Sequence, residues 1–253
     1  MEIIQEHLRT VGRARGLLDE TVRVSARALS PEEAIGNPEH DDYPLVIGRE
    51  RMMEAIVRGV RGQAFTDMYG RWKGRFRDVC EMEPATRFRR AIIVATLNAL
   101  MQFAGEVTGT IHCRDEGPVR CAERLPAYLE SEGLEPPFAL IGYQPRLAEA
   151  LASAGELRIT DMDVRNIGQV RAGVRVRAPT ETDAALAGAG SALVTGSTIV
   201  NGTLGRFAGL DTPTAFYGVT IVGAARLLGL RHYCPAESVS EAPAAGRSEE
   251  SMR

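Results

Sequence analysis

The sequence predicts an α/β protein whose second half is a parallel sheet covered on both faces. Three observations carry that prediction. Five short apolar runs, Phe138–Ile141, Leu157–Thr160, Gly173–Val176, Ala192–Thr195 and Thr214–Tyr217, recur along residues 138 to 217. Several of them are apolar on every residue rather than on alternate ones, the pattern of a strand buried on both faces. Helical segments alternate with them, Pro145–Ala154 and Val222–Leu228 being the clearest, as crossover connections require. The region from about Cys121 to Pro235 therefore reads as a Rossmann-like domain.

The first half is less uniform. Residues 2 to 29 read as one helix, since Ile3, Ile4, Leu8, Val11, Leu17, Leu18, Val22, Ala26 and Leu29 fall near a 3.6-residue period. Ser30-Pro31-Glu32-Glu33 resembles an N-cap followed by proline at the first helical position. Gly36 to Asp42 is a polar loop, and Leu45-Val46-Ile47 is a short strand-like run. A Met- and Arg-rich amphipathic segment follows from Arg49 to Val60, and Gly62 to Asp67 is expected to be extended. Pro84 to Ala104 is a strong helix prediction, with a wide apolar face from Ile92 to Ala104 that Gly105 terminates. Residues 236–253 are rich in Ser, Glu, Ala and Pro and are expected to be disordered.

Composition narrows the function classes. Thirty basic residues against 33 acidic ones give a net charge of -3, so no broad basic field is available for nucleic acid. No apolar run approaches the ~20 residues that span a bilayer, and the charged N-terminus lacks the apolar core of a signal peptide. A cytoplasmic protein is expected, with its four cysteines as thiols. Lys73 is the one lysine, so a P-loop is excluded and a lysine Schiff base has a single candidate.

The chemistry is expected where strands end. Gly142-Tyr143-Gln144, Gly196-Ser197-Thr198 and Gly218-Val219-Thr220 each place a glycine before a helix, a rim suited to an anionic or polar small molecule. Asp161 and Asp163 end the second run about twenty residues after Gly142, where a carboxylate can hold ribose hydroxyls, face a metal, or cap a turn. Asn166 stands close by. The Gly-x-Gly-x-x-Gly fingerprint is missing, which argues against a standard NAD site. The densest set of metal-competent groups is His112, Cys113, Asp115 and Cys121. Cys121 is expected to open a helix, whose N-terminus lowers a thiol's pKa. His232 and Cys234 form a second His/Cys pair. Asp67, Glu50 and Glu54 read as solvated carboxylates, and no catalytic triad or zinc-protease motif is present.

The segments Ile141 to Arg146, Thr160 to Asp163, Val194 to Asn201 and Phe216 to Thr220 resemble the bacterial and archaeal heavy-metal chelation domain family. The likeness extends from about Pro44 to Pro235 and takes in Gly62 to Asp67, His112-Cys113-x-Asp115 and Cys121-Ala122. It implies a small α+β N-terminal domain similar to the enolase N-terminal fold, joined to the Rossmann-like domain, with a ligand site in the cleft between them. The implied division is residues 1–115, 116–235 and a tail at 236–253. Residues 1–43 depart from the family, reading as helix and loop where a β-hairpin is implied. The motifs bring Tyr143, Arg146, Asn201 and Tyr217 into the candidate ligand set.

Three hypotheses follow. In the first, a divalent heavy or transition metal, or an anionic metal chelate, binds in the cleft. His112, Cys113, Asp115 and Cys121 are then the ligands, and Gly142, Gln144, Ser197, Thr198 and Thr220 contact the anion. In the second, the protein is an enzyme for a nucleoside-like or phosphorylated small molecule held at the carboxyl edge. In the third, the Arg87–Ala104 helix and Met52-Met53 form a homodimer surface. The first two require that the segment from His112 to Cys121 face the same crevice as the corners at Gly142, Ser197 and Thr220.

Overall fold

The computed structural model describes residues 1–25, 35–36, 43 and 51–235. The expected cap at 30–33, the loop from 37 to 42, the run at 45–47 and the tail at 236–253 lie outside the described residues. The order is α1 (Glu2–Ala14), β1 (Thr21–Ser25), β2 (Arg51–Val57), β3 (Val60–Thr66), β4 (Trp72–Arg75), α2 (Phe76–Cys80), α3 (Arg87–Phe103), α4 (Gly117–Glu132), β5 (Phe138–Ile141) and α5 (Pro145–Ala154). There follow β6 (Leu157–Thr160), β7 (Val170–Arg171), β8 (Val174–Arg177), α6 (Thr182–Leu186), β9 (Ser191–Thr195), α7 (Thr198–Asn201), β10 (Thr214–Tyr217), α8 (Val222–Leu228) and β11 (His232–Tyr233).

The predicted α/β sheet is present. Seven strands lie in the order β11-β10-β9-β5-β6-β8-β7, parallel throughout except for the short β7–β8 hairpin. Its strands alternate between two cores. Ala139, Ile141, Ala192, Val194 and Phe216 face one, while Phe138, Leu140, Leu193, Ala215 and Tyr217 face the other. That two-sided burial is why these runs lack the apolar/polar alternation of a half-exposed strand.

The N-terminal half departs from the reading of one long helix. α1 stops at Ala14, and Gly16 takes φ +66. Gly16 N–H bonds Arg13 O and Leu17 N–H bonds Gly12 O, a Schellman termination that needs a left-handed residue at Gly16. The β-branched stretch Thr21-Val22-Arg23-Val24 then forms β1 rather than a continuation of the helix. The amphipathic segment from Arg49 to Val60 is extended over most of its described part, as β2 and the start of β3. β2 and β3 form a hairpin closed by Arg58 and Gly59, both at positive φ, as a two-residue type I′ turn demands. Together these strands make an antiparallel sheet in the order β3-β2-β1-β4.

α3 lies between the two sheets. Every residue from Ala91 to Met101 is buried, so the helix is enclosed all round rather than on one face. It rests on β3 at Gly62, where a Cβ would lie 2.2 Å from Ala99 N and 2.4 Å from Ala95 O. Its other side packs with Ile199, Val200, Ala224 and Ala225, so one continuous core spans both sheets. Met52 and Met53 are also fully buried, which removes the surface proposed for a dimer.

Asn98 fixes this layering. Its Nδ2 donates to Gln63 O at 2.9 Å and to Val219 O and Thr220 O at 3.1 Å, and its Oδ1 accepts from Gly223 N–H at 2.9 Å. A fully buried amide is thereby satisfied on both ends while holding the first sheet against the carboxyl edge of the second.

Candidate functional site

A cavity of about 130 Å³ opens at the carboxyl edge of the parallel sheet. The corners after β5, β9, β10 and β11 form one wall, through Tyr143 and Gln144, Thr195 to Ser197, Tyr217 to Thr220, and Tyr233 to Pro235. Ile35, Tyr43, Phe65, His112, Cys113 and Cys121 close the other side. The structure thus brings the His112–Cys121 segment to the same crevice as the strand corners.

Local bonding explains that placement. Gln63 on β3 donates its N–H to Thr110 O at 2.9 Å, and its Oε1 accepts His112 N–H at 2.8 Å. Thr110 Oγ1 donates to Arg61 O at 2.7 Å, so the chain after α3 runs along β3 into the cavity. Gln63 is held in turn through Nε2 to Glu54 Oε2 at 2.8 Å. Glu54, expected to be solvated, is 7% exposed and paired with Arg61 at 2.7 Å.

Cys113 and Cys121 meet because α4 starts with a glycine. A Cβ on Gly117 would lie 2.6 Å from Cys113 Cβ and 3.2 Å from its Sγ. Cys121 is one turn further along the same helix face. Its thiol and that of Cys113 line the same cavity and shift each other's titration in opposite directions. Cys113 is pushed up, first by donating its S–H to Cys121 and second by burial. Cys121 is held below the ordinary thiol value by that bond, against a burial cost, with help from Arg124 and Arg120. Cys121 was expected to open a helix; it is the fifth residue of α4, beyond the turn where a helix N-terminus acts strongly. Cys113, rather than the helix end, leads the lowering. Cys234 also lines the cavity, and its charge would act on Cys113.

The remaining candidates divide by what their polar atoms already bind. The glycine N–H groups at the three corners are spent on the sheet: Gly142 on Thr160 O at 2.8 Å, Gly196 on Tyr217 O at 2.8 Å, and Gly218 on Tyr233 O at 3.2 Å. They are not available to hold an anion. Gly142 is nonetheless required, with φ +90 and Thr195 Cγ2 only 2.7 Å from where a Cβ would be. Thr198 Oγ1 donates to Thr195 O, and Thr220 Oγ1 accepts Phe65 N–H at 3.0 Å. Gln144 Oε1 caps α5 through Leu147 N–H. Ser197 lines the cavity with its hydroxyl beside Thr195.

Asp161, Asp163, Asn166, Asn201, Arg146 and Asp115 are not among the residues lining the cavity. Asp161 accepts Tyr143 N–H and Asp163 N–H, both at 2.6 Å, so its carboxylate fastens two loops together. Burial raises its pKa against those bonds. Asp163 pairs with Arg165, Asn166 reaches back to Asp161 at 3.5 Å, and Asn201 contacts Met162 Sδ. Arg146 pairs with Glu149, its guanidinium 5.9 Å from the Tyr43 ring centre. Asp115 is exposed, and its N–H bonds Ile35 O at 2.7 Å. Among the described residues, no three His, Cys, Asp or Glu side chains are grouped to hold a metal ion.

Sequence reading missed the aromatic walls. Tyr43, Phe65 and Tyr233 were not singled out, because residues so far apart in the chain carry no shared local signal. Tyr217 Oη donates to Gly142 O at 2.7 Å, and Tyr233 Oη donates to Cys121 O. His232, the other half of the second His/Cys pair, bonds Gly218 O at 3.0 Å, and burial lowers its pKa.

Fold and site together define an α/β protein with a Rossmann-like parallel sheet and a cavity at its carboxyl edge. Its architecture is similar to that of a protein of unknown function from the DUF364 family of Pyrococcus horikoshii, solved by crystallography, with a TM-score of 0.52 at 13% sequence identity, covering 87% of this chain and 80% of that one. No family model matches the chain, and no curated protein matches it. No helix among the described residues is long and apolar enough to cross a membrane.

Proposed function

We propose that the protein binds a soft metal ion delivered by a small organic chelator, with Cys113 and Cys121 as its thiolate ligands. One observation carries this reading: the two thiols of Cys113 and Cys121 stand on the wall of one carboxyl-edge cavity. The ion is cargo. A structural zinc site closes with four protein ligands, and calcium takes six to eight oxygens. Neither fits a pair of thiols without a third grouped ligand among the described residues. Thiolates suit softer ions, and a chelator supplies the donors that the protein lacks.

The resemblance to the heavy-metal chelation family, with its enolase-like N-terminal half and interdomain site, belongs to this proposal. So does a reducing, cytoplasmic setting, which the free thiols suit. For the competing enzyme reading, a phosphate finds the three corner glycine N–H groups already occupied, while a nucleoside-like ring keeps the support of the aromatic walls.

The test is anaerobic titration with Cu(I), with chelator-treated protein as the control. One ion per chain, lost in both Cys113→Ser and Cys121→Ser, is the expected result. Binding that survives both replacements, or no binding to the folded wild-type chain, overturns the proposal.

A further inference from the structure

We infer that the cavity selects a planar, uncharged aromatic or heteroaromatic ring, recognised by ring contacts rather than by ion pairing. This rests on the cavity being the ligand site, the first half of the reading above, and needs no metal.

Four of the chain's six tyrosines, Tyr43, Tyr143, Tyr217 and Tyr233, line this one cavity, joined by Phe65 and His112. Phe65 and His112 already stand edge to face, with ring centres 5.4 Å apart at 84°. Such geometry is how aromatic groups gain energy beyond the area they bury. Among the described residues, no Asp, Glu, Lys or Arg lines the cavity. An anionic ligand entering it gives up water and gains no counter-charge, which is unfavourable in a site walled by apolar groups.

The polar atoms on the wall point the same way. Tyr217 and Tyr233 spend their hydroxyl protons on backbone carbonyls, leaving rings as the surface they offer. The corner glycines spend their N–H groups on the sheet. What remains is an aromatic wall with a few hydroxyls and thiols. The volume of about 130 Å³ is close to the ~150 Å³ cavity that takes up one benzene ring, so one ring enters and a second can extend through the open side.

Two isomers separate ring recognition from chelation. 8-Hydroxyquinoline chelates metals and 6-hydroxyquinoline, of the same size and neutral at pH 7, does not. Citrate is an anionic chelator without a ring. Calorimetric titration of the full chain is performed in metal-free buffer and again with one equivalent of Cu(I). Both quinolines are expected to bind metal-free protein with affinities within about threefold of each other, and citrate not to bind. Tyr143→Leu, which keeps apolar bulk but removes a ring, is expected to weaken them about tenfold, with Tyr143→Phe restoring affinity. Phe65→Leu is a second ring deletion should Tyr143→Leu not fold.

Citrate binding more tightly than the quinolines overturns the inference. So does unchanged affinity in folded Tyr143→Leu or Phe65→Leu protein, or binding of the 8-isomer that appears only with Cu(I). Loss of Cu(I) binding with quinoline affinity intact removes the metal proposal alone.

Discussion

The main-chain N–H of Phe65 donates to Thr220 Oγ1 at 3.0 Å, joining the edge of the antiparallel sheet to the carboxyl edge of the parallel one. Both residues line the cavity, so this bond sets the width of the site as well as holding two layers together. Thr220 is buried, and Thr220→Val keeps its shape while leaving a donor unpaired. A loss of about 1–3 kcal/mol is expected in urea unfolding. Weakened ligand binding beyond that loss of stability is also expected, since Phe65 is freed. Unchanged stability and binding in Thr220→Val would show that the bond does neither task.

Asn98 is the deeper tie between the layers. Asn98→Ala strips one donor group and one acceptor from four backbone partners, all within the core. With a cavity term added, about 3–5 kcal/mol of destabilisation is expected, read as a large fall in Tm. Asn98→Asp retains an acceptor for Gly223 N–H but buries a charge, and is expected to be no better.

Close backbone approach makes Gly62 intolerant of any side chain. A methyl group there meets the backbone of α3 at 2.2 and 2.4 Å, so helix and strand must separate. Gly62→Ala is expected to cost about 3 kcal/mol or more, or to abolish soluble expression. By contrast Gly59→Ala meets nothing within 4 Å and pays only for φ +81. Its expected cost of about 1–2 kcal/mol is the comparison that isolates packing from backbone strain.

The thiol pair predicts a pH dependence of Cu(I) binding. Cys113 holds its proton because it donates to Cys121 and is buried, so a metal bridging both sulfurs must displace that proton. Binding should release at least one proton per ion and weaken as pH falls. Titration in buffers of different ionisation enthalpy measures the release, and pH-independent affinity between pH 6 and 8 would contradict it.

Asp161 predicts an opposite signature in stability. Burial raises its pKa in the folded chain, so folding favours the protonated form. The associated stabilisation is present in full below the unfolded value and is lost as pH rises through the folded value. Asp161→Asn should flatten that part of the stability curve, at the cost of one of the two N–H bonds from Tyr143 and Asp163. Denaturant midpoints across the acidic range of wild type and variant test the sign.

The parallel sheet was legible because its strands are buried on both faces, which writes continuous apolar runs into a few adjacent residues. α3 was legible for the same reason. β1 was not, because Leu17, Leu18 and Val22 continue a helical period that only the left-handed Gly16 interrupts. Among site residues, the strand corners and the Cys113–Cys121 segment were visible as local motifs, but their hydrogen-bond loyalties were not. Whether a glycine N–H faces a ligand or a neighbouring strand depends on register between strands far apart in sequence.

Sequence alone determined the apolar patterning, and with it the elements that must be buried and the turns that must be glycine. Tertiary structure alone decided that Tyr43, Phe65, Tyr143, Tyr217 and Tyr233 share one wall and that Asp161 fastens loops instead of lining it. Local pattern records how much of a residue is hidden from water; what hides it is fixed only when distant segments close upon one another.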